Sequence, residues 1–265
     1  MTNNLPAKRT ALITGASVGL GREFAKLAAQ DGMDVVLVAR SKDKLDALAA
    51  ELKAAHGVAA HVVDVDLMRH DAADVVTARV KALGVTVDVL VNNAGFGATG
   101  PFVELPLDKE LGQIDLNVRA LVALSHHFGK DMVARRAGHI LNIASTAGFQ
   151  PGPFMATYFA TKAFVVSFSE ALAHELKGTG VKVTCHCPGA TATEFAQAAG
   201  NAETALFKSG RVATSDDVVR HAWDAMKSGQ VLAIHGFVNK VLMQANRMSP
   251  RAVVRSVTAR MNSKA

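Results

Sequence analysis

Seven short runs rich in β-branched and aliphatic residues alternate with longer segments of helical pattern from residue 10 onward. This alternation leaves few architectures open. The candidate strands are Thr10 to Thr14, Asp34 to Ala39, Ala59 to Val65, Val87 to Val91, His139 to Ala144, Val181 to Cys187 and Val231 to His235. Helical segments rich in Ala, Leu and Lys fall between them, among them Arg22 to Asp31, Lys42 to His56, Ala72 to Leu83 and Met155 to Lys177. Such βαβ units feed a parallel sheet, and near-continuous apolar strands need cover on both faces. The expectation is a doubly wound α/β fold, a parallel sheet of about seven strands with helices on each side.

At 265 residues and 49% hydrophobic, the chain can bury a full core and is expected to form a single domain over residues 1–265. Its first residues, Met1 to Arg9, are polar and lack the apolar core of a signal peptide, and no uninterrupted run of about 18 apolar residues occurs. A cytoplasmic location is expected. Cys185 and Cys187 alternate along one strand face as buried small side chains; adjacent same-strand positions suit a disulfide poorly. Cys-His-Cys also lacks a fourth ligand and zinc spacing, so no metal is expected. The formal charge of +6 raises nucleic acid as a partner. No nucleic-acid motif accompanies it, however, and the basic residues gather only in the last stretch.

The first strand runs into Thr14-Gly-Ala-Ser-Val-Gly-Leu-Gly21, and a helix follows at once. Gly15, Gly19 and Gly21 suit a tight turn, close approach of backbone amides to a pyrophosphate, and close packing of helix on strand. The positive helix end then faces the phosphates. Strand, glycines and helix in this order point to a dinucleotide site and a Rossmann-type fold.

Tyr158, the only tyrosine, stands four residues before Lys162 in a helical segment, so both share one face. An ammonium beside a phenol favours the phenolate and lowers a pKa that is ordinarily about 10. Ser145 closes the strand-like run that begins at His139, at the carboxyl end where open α/β sheets bind ligands. A hydroxyl there could polarise a carbonyl oxygen. Phe164 and Phe168 point away from Tyr158 and Lys162 at helical spacing, leaving one face to pack and another to work.

Thr14-Gly-x-x-x-Gly-x-Gly21, Asn92-Asn-Ala-Gly95, Asn117, Ser145, Tyr158-x-x-x-Lys162 and Pro188-Gly189 together resemble the short-chain dehydrogenase/reductase family. The resemblance extends from about Ala7 to about Val238. It implies an oxidoreductase in which Tyr158 is the acid and base, Ser145 stabilises the substrate oxygen, and Lys162 binds nicotinamide ribose and depresses the Tyr158 pKa. Asn117 would position a relay water. The implied cofactor contacts are Gly15, Ser17, Gly19, Leu20, Gly21, Arg40, Asp64, Val65, Asn92, Ala94, Gly95, Tyr158, Lys162, Pro188, Gly189, Thr191 and Thr193, with Asp64 and Val65 at the adenine.

An acidic residue ending the second strand binds a free ribose 2′-hydroxyl and repels a 2′-phosphate. Here Ala39 and Arg40 occupy that place, so NADPH is expected over NADH, with help from Ser17 and Ser41. Phe96, Phe149, Pro151, Phe154 and residues 190–207 are expected to border the substrate pocket, and the alanine-rich stretch Ala196 to Ala205 reads as a mobile flap. Their apolar character suggests an aliphatic, aromatic or steroid-like carbonyl. Gly152 to Tyr158 and the C-terminal Arg247-Met-Ser-Pro-Arg251 resemble the branch holding hydroxysteroid and long-chain 3-ketoacyl reductases.

The extension 237–265 mixes apolar residues with arginines as a basic amphipathic helical tail broken near Pro250. Packing on the pocket or a subunit is its first reading; binding an anionic substrate tail and contact with a membrane surface compete. A homodimer or homotetramer is implied by the resemblance. Two other functions stay open: an NADP(H)-binding regulator without turnover, and an isomerase or dehydratase that retains its cofactor.

Overall fold

A computed structural model describes residues 8–192, 194–195, 199–200 and 212–263. Seven strands, β1 (Thr10–Thr14), β2 (Asp34–Ala39), β3 (Ala60–Asp64), β4 (Val87–Asn92), β5 (Gly138–Ile143), β6 (Val181–Cys187) and β7 (Leu232–Ile234), make one parallel sheet in the order β3-β2-β1-β4-β5-β6-β7. The expected strands are all present, with β3 and β7 shorter by a residue at both ends, β4 longer by one and β5 shifted by one. Strand order reverses between β1 and β4, and the crevice at such a switch point is where an open α/β sheet takes its ligand.

Among the described residues the long helices are α1 (Gly19–Gln30), α2 (Lys42–His56), α3 (Ala72–Ala82), α4 (Leu107–Ile114), α5 (Leu121–Ala134), α6 (Ala156–Glu175), α7 (Ser215–Ser228), α8 (Phe237–Met248) and α9 (Arg251–Asn262). Strand alternation sends successive side chains to opposite faces. Ala11, Ile13, Val35 and Leu37 pack with Phe24, Leu45, Leu48 and Trp223 from α1, α2 and α7. Leu12, Val36, Val38 and Leu90 pack instead with Val76, Leu124 and Phe128 from α3 and α5. Both faces are therefore covered, as the apolar strands require.

α6 buries Tyr158, Thr161, Lys162, Val165, Val166 and Ser169, while Phe164 lies 41% exposed and stacks on Phe168 with ring centroids 5.8 Å apart. This corrects the expected division of faces: the face that carries Tyr158 and Lys162 is itself the packed one, and Phe164, expected to pack, is largely exposed. Cys185 and Cys187 are buried on β6, their sulfurs 3.9 Å apart. Thr193 lies outside the described residues, and of the alanine-rich stretch 196–205 only residues 199–200 are described. No helix among the described residues is long and apolar enough to cross a membrane.

Candidate active site

Thr14 sets the floor of the crevice. Its hydroxyl donates to the Val91 carbonyl at 3.2 Å and accepts from the amides of Asn93 and Ala94, each at 3.0 Å, locking the end of β1 to that of β4. The chain then turns through Gly15, at φ +67°, and Gly19, at φ +54°, into α1. A β-carbon on Gly21 would stand 2.1 Å from the Gly15 carbonyl oxygen, so only glycine lets the helix abut the turn. α1 has no side-chain cap and no acidic residue in its first turn. Its leading amides are left for an anion.

A cavity of about 990 Å³ runs from this turn along the carboxyl ends of the strands. Gly15, Ser17, Val18, Gly19 and Leu20 line one end, with Ala39, Arg40 and Ser41 beside them. Arg40 is exposed and meets no carboxylate partner among the described residues. Glycine turn, uncapped helix and free guanidinium fit a phosphorylated dinucleotide, which the chain would hold through these groups. Val65, Ala94, Gly95, Pro188, Gly189 and Thr191 also line the cavity.

Two of the expected cofactor contacts sit elsewhere. Asp64 turns its carboxylate to Arg79 at 2.7 Å, away from the cavity, and it is Asp66, Leu67 and Met68 that line the wall after β3. Arg79 holds the Asp64 carboxyl below its usual range through that hydrogen bond. Asn92 is buried behind the site, donating to Ser125 Oγ and Asn142 Oδ1, both at 2.9 Å. It fastens α5 to the sheet, and Asn93 faces the cavity in its place.

At the other end, Ser145, Tyr158 and Lys162 share one wall. Ser145 follows β5, and its hydroxyl accepts from the Ala147 amide at 3.1 Å and hydrogen-bonds Tyr158. Lys162 donates to the Ile143 carbonyl at 2.8 Å, with its Nζ 5.8 Å from the Tyr158 ring centroid. Gly148 admits this arrangement, because a β-carbon there would lie 2.7 Å from the Lys162 carbonyl oxygen. Asn117 stands just behind, on a π-helical turn, Asp115–Ala120. It accepts from the Phe96 amide at 3.0 Å, and its Nδ2 donates to the Phe96 carbonyl at 2.9 Å and to Thr161 Oγ1 at 3.1 Å. Thr161 donates in turn to the Tyr158 carbonyl at 2.7 Å.

The electrostatics correct one expectation. Burial pushes the Tyr158 phenol up to about 12, with the Ser145 hydrogen bond working in the opposite sense, and burial brings the Lys162 ammonium down to about 8. The protein's own groups therefore favour the protonated phenol: desolvation outweighs the Ser145 hydrogen bond. A protonated phenol is a proton donor.

The pocket differs from its sequence reading. Phe96 lines the cavity, whereas Phe149 packs against the core beside β5 and Phe154 is 40% exposed at φ +66°. The apolar wall comes from Met155, Phe159 and Phe195, and from Val238, Leu242, Val254 and Val257 on the C-terminal helices. Phe195 meets the Tyr158 ring at 5.3 Å. Asn246 donates to Gln150, and Asn262 donates to the Pro153 carbonyl at 2.9 Å, pinning α8 and α9 over the loop that precedes α6. Packing on the pocket, the first reading of the tail, describes its inner face.

With this geometry in view, the comparisons with known proteins decide the family. Residues 9–204 match the model of the short chain dehydrogenases. The chain belongs to the short-chain dehydrogenase/reductase family. It is an oxidoreductase acting between CH–OH and C=O groups. An uncharacterised oxidoreductase of Myxococcus xanthus is 40% identical over 71% of this chain and 74% of its own length. A very-long-chain 3-oxoacyl-CoA reductase of Anas platyrhynchos is 38% identical over 71% of this chain, which spans only 61% of that relative. A short-chain dehydrogenase of Sphingobium yanoikuyae, solved in complex with NADPH, superposes with a TM-score of 0.81 at 35% identity, covering 91% of this chain and 93% of that one.

Proposed function

We propose that the protein interconverts a carbonyl and a secondary alcohol, with NADPH preferred over NADH, on an apolar substrate. The carrying observation is the common wall of Ser145, Tyr158 and Lys162 beside a cavity whose remote end presents Arg40 and no carboxylate at Ala39. When bound, the nicotinamide supplies or accepts the hydride. Tyr158 gives its phenolic proton to the substrate oxygen in reduction and takes it back in oxidation. Ser145 donates a hydrogen bond to that oxygen as charge develops. Lys162, oriented by the Ile143 carbonyl, holds ribose hydroxyls and supports the phenolate left after proton transfer. Asn117 fixes the backbone of Phe96 and the turn carrying Tyr158, and in the family pattern it also orders a relay water.

Arg40, Ser41 and Ser17 support the NADPH preference, as does the NADPH complex of the Sphingobium relative. Phe96, Met155, Phe159, Leu242 and Val254 support an aliphatic, aromatic or steroid-like carbonyl, a class into which a long 3-oxoacyl chain would fit. We read the chain as one cytoplasmic domain, assembled as a homodimer or homotetramer. The decisive test follows loss of nicotinamide fluorescence with NADPH and NADH against aliphatic, aromatic, steroid and 3-oxoacyl carbonyls. Turnover with NADPH is expected; tight binding with no turnover on any of them would favour an NADP(H)-binding regulator.

A further inference from the structure

The cavity uses only the inner face of α8. On the opposite side Phe237, Val241, Ala245 and Met248 recur at helical spacing and form one stripe. Phe237 is 79% exposed, Val241 51% and Met248 89%. Single exposed apolar side chains are ordinary, but an aligned set on one helix marks an interaction surface. Lys240 and Arg247 flank the stripe, and Arg251 and Arg255 follow on α9, all exposed and without an ion-pair partner among the described residues. No Asp or Glu occurs from Phe237 to Ser263.

These features narrow the occupant. A second copy meeting this face about a two-fold axis would set the same cations against one another with no carboxylate on the helices to offset them. Nucleic acid would satisfy the cations and leave Phe237 and Met248 in water. An anionic bilayer surface accepts both, since its phosphates meet the basic side chains and its headgroup boundary takes the apolar stripe. Val238 and Leu242 line the cavity and stand next to Phe237 and Val241 on the helix, so the stripe adjoins the cavity wall.

We propose that α8 seats the protein on an anionic membrane surface, with Phe237, Val241 and Met248 in the headgroup boundary and Lys240 and Arg247 on lipid phosphates. The contact is interfacial and reversible, as expected for one amphipathic helix with a basic flank. It places the cavity beside the lipid. That consequence rests on the apolar substrate proposed above; the docking itself does not, and it is measured without cofactor or substrate.

The test is flotation of the full chain with vesicles of phosphatidylcholine alone and of phosphatidylcholine mixed with phosphatidylglycerol. Binding to the anionic vesicles only, lost at high salt, is expected. Lys240→Gln with Arg247→Gln should lower partitioning roughly 30-fold, about five-fold for each charge. Phe237→Ser with Met248→Ser should also release the protein, and both variants should keep the wild-type melting temperature. Absence of wild-type flotation, or flotation unchanged in both variants, overturns the proposal. So does a mass by light scattering that falls to the monomer in the Ser variant while the wild type ignores vesicles, which would assign the face to a second copy.

Discussion

Lys162 reaches from α6 to the end of β5 and donates to the carbonyl of Ile143 at 2.8 Å, a tether made inside the fold, where its charge is poorly solvated. Burial lowers its pKa from 10.5 to about 8. The unfolded chain therefore binds more protons between those values, so stability rises as pH climbs through this window. Below about pH 8 the buried charge costs about 3 kcal/mol, at about 1.4 kcal/mol per pH unit. Lys162→Met is expected to abolish turnover yet raise the melting temperature at neutral pH, with the gain shrinking as pH rises from about 8 toward 10.5. Melting curves against pH for both proteins check this; a variant less stable at every pH would show that the Ile143 bond outweighs the buried charge.

Tyr158 offers a second titration that needs no mutation. Because it is the only tyrosine, phenolate absorbance in the folded chain reports on this residue alone. The expected midpoint is about 12, provided the fold survives to that pH, with no ionisation near 10. A midpoint below 10 would mean that Lys162 dominates desolvation after all. Added NADPH is expected to lower the midpoint if cofactor binding strengthens the lysine's hold on the phenolate.

The glycine turn predicts a steric failure. In Gly21→Ala the new β-carbon would meet the Gly15 carbonyl oxygen at 2.1 Å and its carbon at 2.6 Å, and neither backbone atom can yield without moving α1. A cost of about 2 kcal/mol is expected, or a melting point lower by roughly 5 °C for a chain of this size. NADPH affinity should fall by at least about tenfold, since the displaced amides are the anion site. Loss of stability with unchanged affinity would detach that turn from cofactor binding.

Much of this site was legible because its signals are local. Glycines after a strand, a hydroxyl at the end of β5, and Tyr158 with Lys162 on one helical face are read from spacing alone. The misplaced residues depend on which way a side chain points at a strand end. Asp64 is still in register with Ala39 of β2, so it turns toward Arg79, and the cavity begins only at the following residues. Asn92 and Asn93 are adjacent, yet the pleat sends the first into the core and the second to the cleft. Phe149 ends a short 3₁₀ turn, Thr146–Phe149, and Phe154 lies in the loop after it, a path the sequence does not declare. Asn117 carries no helical period to mark it, because it sits on a π-helical turn, outside the 3.6-residue repeat that reveals helices. The pocket roof from α8 and α9 carried a visible amphipathic pattern, but its partner lies far away in the chain.

Arg40 carries the cofactor prediction. It follows Ala39 at the end of β2, lines the cavity and has no carboxylate to engage among the described residues. Arg40→Asp exchanges an attraction for a repulsion at a 2′-phosphate and offers a carboxylate to a free 2′-hydroxyl. The ratio of kcat/KM for NADPH over NADH is expected to fall on the order of a hundredfold or more, each charge-assisted hydrogen bond being worth about 2 kcal/mol. An unchanged ratio would remove Arg40 from cofactor selection and shift attention to Ser17 and Ser41.

Asn117 and Thr161 join the π-helical turn, the Phe96 backbone and the Tyr158 turn in one chain of hydrogen bonds. Asn117→Ala removes three of them and strands the amide and carbonyl of Phe96 inside the protein, at an expected cost of about 3 kcal/mol. Thr161→Val keeps the volume and removes only the bonds through its hydroxyl, for about 1 kcal/mol. If the chain of bonds positions Tyr158, Thr161→Val should lower kcat several-fold with little change in the KM for NADPH, because the glycine turn and Arg40 are untouched. Equal losses in kcat and NADPH affinity would instead show that the hydroxyl supports the fold as a whole and leaves no separate mark on the tyrosine.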